Sequence, residues 1–123
     1  MKIIKKGNSI NAVKPEGIKV WYYLFPEYEI HYNEQEPHTK QVWHHHETIW
    51  ESIYIIEGEL LVKWKENGEE KQQLVEIGDL IETEHSPHAF VNNSDHTVKF
   101  LVIKQILSGK DKRGLLKADK VLD

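Results

Sequence analysis

The feature that most limits the folds open to this chain is a succession of short β-branched and aromatic segments separated by turn residues. Asn67-Gly68 lies between two such segments and predicts a tight hairpin. No helical repeat of useful length precedes Leu107. The pattern therefore predicts an all-β sandwich, jelly roll or barrel. The predicted strands are Ile18–Leu24, Glu29–Tyr32, Gln41–His46, Ser52–Glu57, Leu60–Lys65, Lys71–Val75, Leu80–Glu82, His88–Asn92 and Val98–Ile106.

The length of 123 residues is enough for one domain. We expect a single domain over 1–123, with the barrel core at about 18–106 and a Lys-rich tail at about 107–123. In the tail, Leu115-Leu116 and Val121-Leu122 are compatible with a short helix or an ordered arm. Met1 to Ser9 lacks the apolar run of a signal peptide, and no stretch approaches the roughly 20 apolar residues of a membrane helix. A cytoplasmic protein is the default expectation.

Charge and composition exclude several partners. The formal net charge of −4 gives no electrostatic attraction to nucleic acid or to an anionic membrane. Arg113 is the only arginine among 16 basic residues, which disfavours bidentate phosphate recognition and argues against phosphorylated sugars as ligands. The chain has no cysteine, so a metal site would have to use nitrogen and oxygen ligands.

Histidines are clustered in this sequence, and His44, His45 and His46 form one tight group. If Gln41–His46 is a strand, His44 and His46 point to one side and His45 to the other. Imidazoles at i and i+2 lie about 6–7 Å apart along a face, and both can reach one ion at roughly 2 Å. Glu51 opens the next strand and can add a carboxylate oxygen, or act as a general base beside a histidine-only site.

A second group contains His85 and His88. His88 follows Pro87 and begins a predicted strand, which could lie beside the first one in a closed β structure. Three imidazoles and one carboxylate suit Mn, Fe, Co, Ni, Cu or Zn rather than Ca or Mg. An octahedral ion would keep two positions for water, dioxygen or substrate. His85 lies in the loop above His88 and is either a solvated loop residue or a group that contacts the metal ligands or the substrate.

Two stretches resemble the sequence motifs of the cupin superfamily. His44–Gly58 fits the first motif, with a histidine pair at i and i+2, a glutamate and a glycine at the matching spacing. Gly78–Asn92 resembles the second motif, although Glu84-His85-Ser86-Pro87 replaces the usual Pro-x-Gly approach and the stretch is one residue shorter. The matching positions are His44, His46, Glu51 and Gly58, then Gly78, Pro87, His88 and Asn92.

The resemblance implies a double-stranded β-helix, or jelly roll, with one divalent metal held inside the barrel by three histidines and one glutamate. It also implies a homodimer, since cupins of this size commonly dimerise. Cupins include dioxygenases, isomerases, lyases and non-catalytic binding proteins, so the family indicates the site rather than the reaction. We expect a small-molecule metalloenzyme, dioxygenase-like or an isomerase or lyase, with non-catalytic sensing or sequestration as the alternative. His44, His46, Glu51 and His88 are the expected ligands.

Three further expectations concern side-chain direction. Lys63, Lys99 and Lys104 alternate with apolar residues and are expected to face outward, which favours a neutral or weakly acidic ligand that chelates the metal. His31 is expected at the surface, as are His38 and His96. The apolar stretch Trp21–Pro26 would be an aggregation hazard as an edge strand, so we expect a strand of a second subunit to cover it.

Overall fold

The computed structural model describes the whole chain, Met1–Asp123, as two antiparallel sheets, a 3-10 turn at Lys6–Asn8 and one short α-helix. One sheet has six strands in the order β1-β2-β3-β10-β5-β8, and the other has four in the order β4-β9-β6-β7. This confirms the all-β jelly roll. The strands are β1 Ile10–Lys14, β2 Ile18–Leu24, β3 Tyr28–Gln35, β4 Thr39–Lys40, β5 Trp50–Glu57, β6 Leu60–Glu66, β7 Glu69–Val75, β8 Leu80–Glu82, β9 His88–Asn92 and β10 Val98–Gln105.

The two sheets enclose an apolar core that occupies one end of the barrel. Val98, Phe100 and Val102 alternate along β10 and point into this core, as the period of two requires. Lys104 has the same parity and continues the inward row at the other end of the strand. The barrel interior is therefore apolar at one end and polar at the other. Its buried members are Ile53, Ile55, Leu60, Val62, Val75, Phe90, Val98, Phe100 and Val102.

A buried polar network ties the two sheets together beside this core. Asn92 is fully buried, and its Nδ2 donates to the carbonyl oxygens of Gln35, Glu36 and His96 at 3.1, 3.0 and 2.8 Å. Its Oδ1 accepts from the backbone N–H of Ser94 at 3.0 Å. Asn92 thereby satisfies backbone groups of β3 and of the turn before β10, which would otherwise be buried without partners.

The expectation that Trp21–Pro26 forms an edge covered by a second subunit is wrong. β1 pairs with β2 along its whole length, from Ile10 opposite Tyr22 to Lys14 opposite Ile18, so β1 is the edge strand. All five residues of β1 are exposed, and the strand therefore lacks the buried face that would mark it in the sequence.

The prediction of a regular strand over Gln41–His46 is also wrong. The Gln41 N–H donates to the Phe90 carbonyl at 2.9 Å, and His44 forms an isolated bridge with His88. From Gln41 to His44 the segment advances three residues, whereas β9 advances only two, from Phe90 to His88. The segment therefore contains one extra residue, as in a β-bulge. The Val42 N–H leaves the ladder and donates to Glu16 Oε2 at 2.6 Å. The bulge lets both Gln41 and His44 face the barrel interior.

The tail carries one short helix, Arg113–Ala118, whose residues are all exposed. This agrees with the helical alternative for Leu115-Leu116, whereas Val121-Leu122 lies outside any regular element. No helix of the protein is long and apolar enough to cross a membrane.

Gly58, in the turn between β5 and β6, should tolerate a side chain poorly. Its φ is +85°, and an added Cβ would lie 3.2 Å from the Thr97 carbonyl oxygen and from Val98 Cα. We expect Gly58→Ala to lower the free energy of unfolding by about 2 kcal/mol or more, measured by urea denaturation. Gly68→Ala is the matched control, since Gly68 has a φ of +78° but no atom within 4 Å. Equal losses for both variants would contradict a role for the contact with β10.

Candidate metal centre

His44 and His88 face each other across the two strand segments that bring them together. Each donates its backbone N–H to the other's carbonyl, at 3.1 and 2.9 Å, and their ring centroids are 4.5 Å apart. Each ring also has a backbone carbonyl beside its Nδ1, that of Val42 at 2.9 Å for His44 and that of Ser86 at 2.7 Å for His88. An Nδ1–H donated to these carbonyls leaves both Nε2 atoms free to bind an ion, an arrangement common among metal-binding histidines.

Glu51 places its carboxylate between two of the histidines. It is 4% exposed, and its two oxygens lie 3.3 Å from His46 Nε2 and 3.4 Å from His88 Nε2. Neither contact has hydrogen-bond geometry, and both Nε2 atoms are buried without a hydrogen-bond partner. Orphaned buried nitrogens of this kind are costly and rare, and a shared ion would satisfy them.

The ligand atoms lie close enough together to hold one small divalent ion. One ligand atom from each of His44, His46 and Glu51 lies within 4.8 Å of the others. Neighbouring ligands at bond lengths of about 2.1 Å would be separated by roughly 3 Å, close to the contacts around Glu51. His88 joins the group through its contacts with Glu51 and His44. The structure thus brings together all four residues predicted from the sequence, and their donor set fits a transition metal.

The neighbouring histidines lie elsewhere. His45 is exposed, and its Nε2 lies 3.9 Å from Glu47 Oε1. His85 is exposed on the loop before β9, with its ring centroid 5.3 Å from that of Trp50, and it lines neither of the two cavities beside the site. A role for His85 toward a ligand stays a prediction.

Two expectations about direction are wrong. His31 is 7% exposed rather than a surface residue, with Nε2 2.9 Å from Glu29 Oε2. Lys104 lies opposite Glu51 in the register of β10 and β5, with its Nζ 3.9 Å from Glu51 Oε2. The alternation of side chains along each strand places both His31 and Lys104 on the inner face of the sheet.

The site shifts the pKa values of its ionisable groups. Burial lowers the pKa of His46 below its usual 6.5, and the negative charge of Glu51 only partly offsets this effect. Burial likewise lowers the pKa of His31, partly offset by its hydrogen bond with Glu29. Burial alone raises the pKa of the Glu51 carboxyl, but the His88 contact and the charge of Lys104 outweigh it, so the net pKa is lowered. Without metal, the site therefore favours neutral imidazoles at His46 and His31 and an ionised Glu51 carboxylate.

These shifts predict an acid-sensitive metal-free protein. Below about pH 6.5 the unfolded chain protonates His31 and His46 while the folded chain resists it, so the stability falls as the pH falls. We expect the urea midpoint measured in chelator to decrease between about pH 7.5 and 5.5. His31→Gln should flatten this dependence, and the exposed His96→Gln is its control. A steeper dependence in His31→Gln than in the parent protein would contradict the assignment.

Two cavities flank the metal centre. One of about 310 Å³ is lined by His44, His46 and Glu51. The other, of about 420 Å³, is lined by His88 and by Trp64 and Phe90. Glu51 and His88 are buried, His46 is partly buried and His44 is exposed, so the centre reaches from the barrel interior to its surface, between two spaces that small molecules can fill.

A small jelly-roll barrel with a histidine–glutamate centre inside it defines the class of this protein. The sequence model of the cupin domain matches residues 31–104, and the chain belongs to the cupin family. No curated protein matches the sequence closely enough to identify a relative.

Solved structures share this fold at low sequence identity. A predicted oxalate decarboxylase from Thermotoga maritima is 18% identical, with a TM-score of 0.74 over 86% of this chain and 100% of that one. The polyketide cyclase RemF from Streptomyces resistomycificus is 21% identical, with a TM-score of 0.70 over 85% and 79%. CENP-C from Drosophila melanogaster, solved bound to CAL1, is 19% identical, with a TM-score of 0.72 over 84% and 85%. Likeness at this level describes the fold alone.

Proposed function

We propose that this cupin is a metal-dependent enzyme acting on a small organic molecule. The observation that carries the proposal is the convergence of His44, His46, His88 and Glu51, with the Nε2 atoms of His46 and His88 buried and unpartnered. A bound transition metal supplies Lewis-acid or redox chemistry at such a site. The adjoining cavities give a substrate access to it.

The protein's own residues account for the rest of the site's chemistry. The two carbonyl contacts at Nδ1 fix the orientation of the His44 and His88 rings, which reduces the cost of holding them at an ion. Apolar side chains of Ile53 and Phe100 line the inner end of the cavity and exclude water from the ligand there. Lys104 places a positive charge beside Glu51, where charge on a ligand would be stabilised.

Two reaction classes fit this arrangement, a dioxygenase-like oxidation and a non-oxidative isomerisation or elimination. The decisive experiment loads the purified protein with Fe²⁺, Mn²⁺, Ni²⁺ or Zn²⁺ and follows oxygen uptake and product formation with diketones, catechols and flavonols. Oxygen uptake that Glu51→Gln abolishes would support the dioxygenase class, and product without oxygen uptake would support the other class. Tight metal and ligand binding without turnover would instead support the alternative, a cupin used for sensing or sequestration.

The homodimer expected from the sequence is part of this proposal, and the outer face of the six-stranded sheet supports it. Paired residues form one apolar row across five strands: Trp21, Tyr32, Leu101, Tyr54 and Leu80. The Lys6 ammonium covers the first end of this row, 4.1 Å from the Trp21 ring centroid. The row beside it alternates in charge, with Lys19, Glu34, Lys99 and Glu57 in register. A twofold axis parallel to the strands would place each charge opposite its complement.

Leu101→Lys should therefore convert a dimer into a monomer, because it introduces a charge in the middle of the apolar row. Light scattering coupled to size exclusion measures the mass. Leu74→Lys, on the outer face of the other sheet, is the matched control and should leave the dimer intact. A monomeric wild-type protein at micromolar concentration, or equal dissociation by both variants, would contradict this interface.

A further inference from the structure

One wall of the 310 Å³ cavity is built from polar residues that the metal centre does not use. Lys14, His31, Asn33 and Lys104 line it together with the ligands His44, His46 and Glu51. In the register of the sheet, Asn33 lies opposite Phe100, and Lys104 opposite Glu51. The wall therefore places the Asn33 side chain near the apolar end of the cavity and the positive charge of Lys104 near the metal ligands.

Both lysines of the site lie on one side of the centre. Lys104 is held at 23% side-chain exposure with its Nζ 3.9 Å from Glu51 Oε2, and Lys14 lines the same cavity. Two carboxylates also line it, but Glu16 accepts from the Val42 N–H and Glu51 lies against His46 and His88. The 420 Å³ cavity on the other side is lined by four carboxylates and no lysine: Glu66, Asp79, Glu82 and Glu84. An anion is therefore favoured on the lysine side and repelled from the carboxylate side.

Asn33 adds a requirement for a hydrogen-bond donor. It is 7% exposed, and its Oδ1 is buried with no hydrogen-bond partner. A buried acceptor left unpaired costs free energy, which a ligand that donates a hydrogen bond would recover. A hydroxyl group is the simplest donor that an anionic ligand can carry.

We propose that the cavity binds a small hydroxylated carboxylate, with its carboxylate held by Lys104 and Lys14 and its hydroxyl donating to Asn33 Oδ1. The cavity holds roughly ten waters at about 30 Å³ each, which limits the ligand to about a dozen non-hydrogen atoms. The inference rests on the proposed function, because this ligand shares its cavity with the metal. It also narrows the expectation of a neutral or weakly acidic ligand to an acidic one, because Lys104 lines the cavity rather than facing outward.

Malate and succinate form the test pair, since they differ by one hydroxyl group. Both are titrated by calorimetry into Zn²⁺-loaded protein, with the bound zinc measured before and after. We expect malate to bind about tenfold more tightly than succinate. Asn33→Ala should reduce this ratio to about one. If that variant does not fold, Asn33→Val carries the same test.

Lys104→Met should weaken both acids about tenfold or more while leaving their ratio unchanged, because it removes only the charge. Lys63→Met is the matched control, since Lys63 lies on β6 and lines neither cavity. Failure to bind zinc would overturn the proposed function. Zinc-loaded protein that binds neither acid, or a malate preference that persists in the Asn33 variants, would overturn this inference and leave the metal centre standing.

Discussion

His46→Ala should lower the affinity for a transition metal by about 100-fold or more, and metal content after dialysis should fall to near zero. The variant removes one imidazole from the group formed with His44 and Glu51. It also leaves Glu51 buried with one fewer contact. Elemental analysis and competition with a coloured chelator measure the effect.

His45→Ala is the matched control for this experiment. It deletes the same side chain one position earlier, but His45 is exposed and its ring lies beside Glu47 rather than Glu51. We expect full metal content and unchanged affinity. Stoichiometric metal in His46→Ala, or an equal loss in His45→Ala, would show that the ion is held elsewhere.

The second large effect concerns stability rather than metal. Asn92→Ala should lower the free energy of unfolding by about 3 kcal/mol, because the carbonyls of Gln35, Glu36 and His96 lose their buried donor. Thermal and urea denaturation of the metal-free protein measure the change.

Asn93→Ala is the control, since Asn93 is exposed and adjoins the same strand end. Its effect should stay within about 0.5 kcal/mol. A loss below about 1 kcal/mol in Asn92→Ala would mean that water replaces the amide easily, and that the network is not closed to solvent.

The sequence predicted most strands because their signals are local. Turn residues and alternating apolar side chains mark β5, β6 and β10 without reference to their partners. β1 could not be found in this way, because it exists through its pairing with β2 and buries none of its own residues. The bulge at Gln41–His44 likewise depends on β9, which lies more than 40 positions away.

The candidate site was predicted more fully than its surroundings. His44, His46, Glu51 and His88 have motif spacings that reflect a fixed geometry, and the structure brings them together. The alternation of Val98, Phe100 and Val102 indicates an inward Lys104, and the prediction that Lys104 faces outward is wrong. His31 was harder, because Asn33 and Gln35 on the same face are also polar. Without apolar residues to mark it, the buried face of β3 resembles an exposed one.

The extra residue between Gln41 and His44 also has an evolutionary meaning. Without the bulge, simple alternation from the inward-facing Gln41 would turn Trp43 and His45 toward the interior and His44 and His46 away from it. The barrel would keep its strands, but two inward imidazoles would be exchanged for one. A segment without the bulge would need one residue fewer to keep His44 opposite His88. Alignments of related chains that retain the ion should therefore show either the present length or a segment one residue shorter.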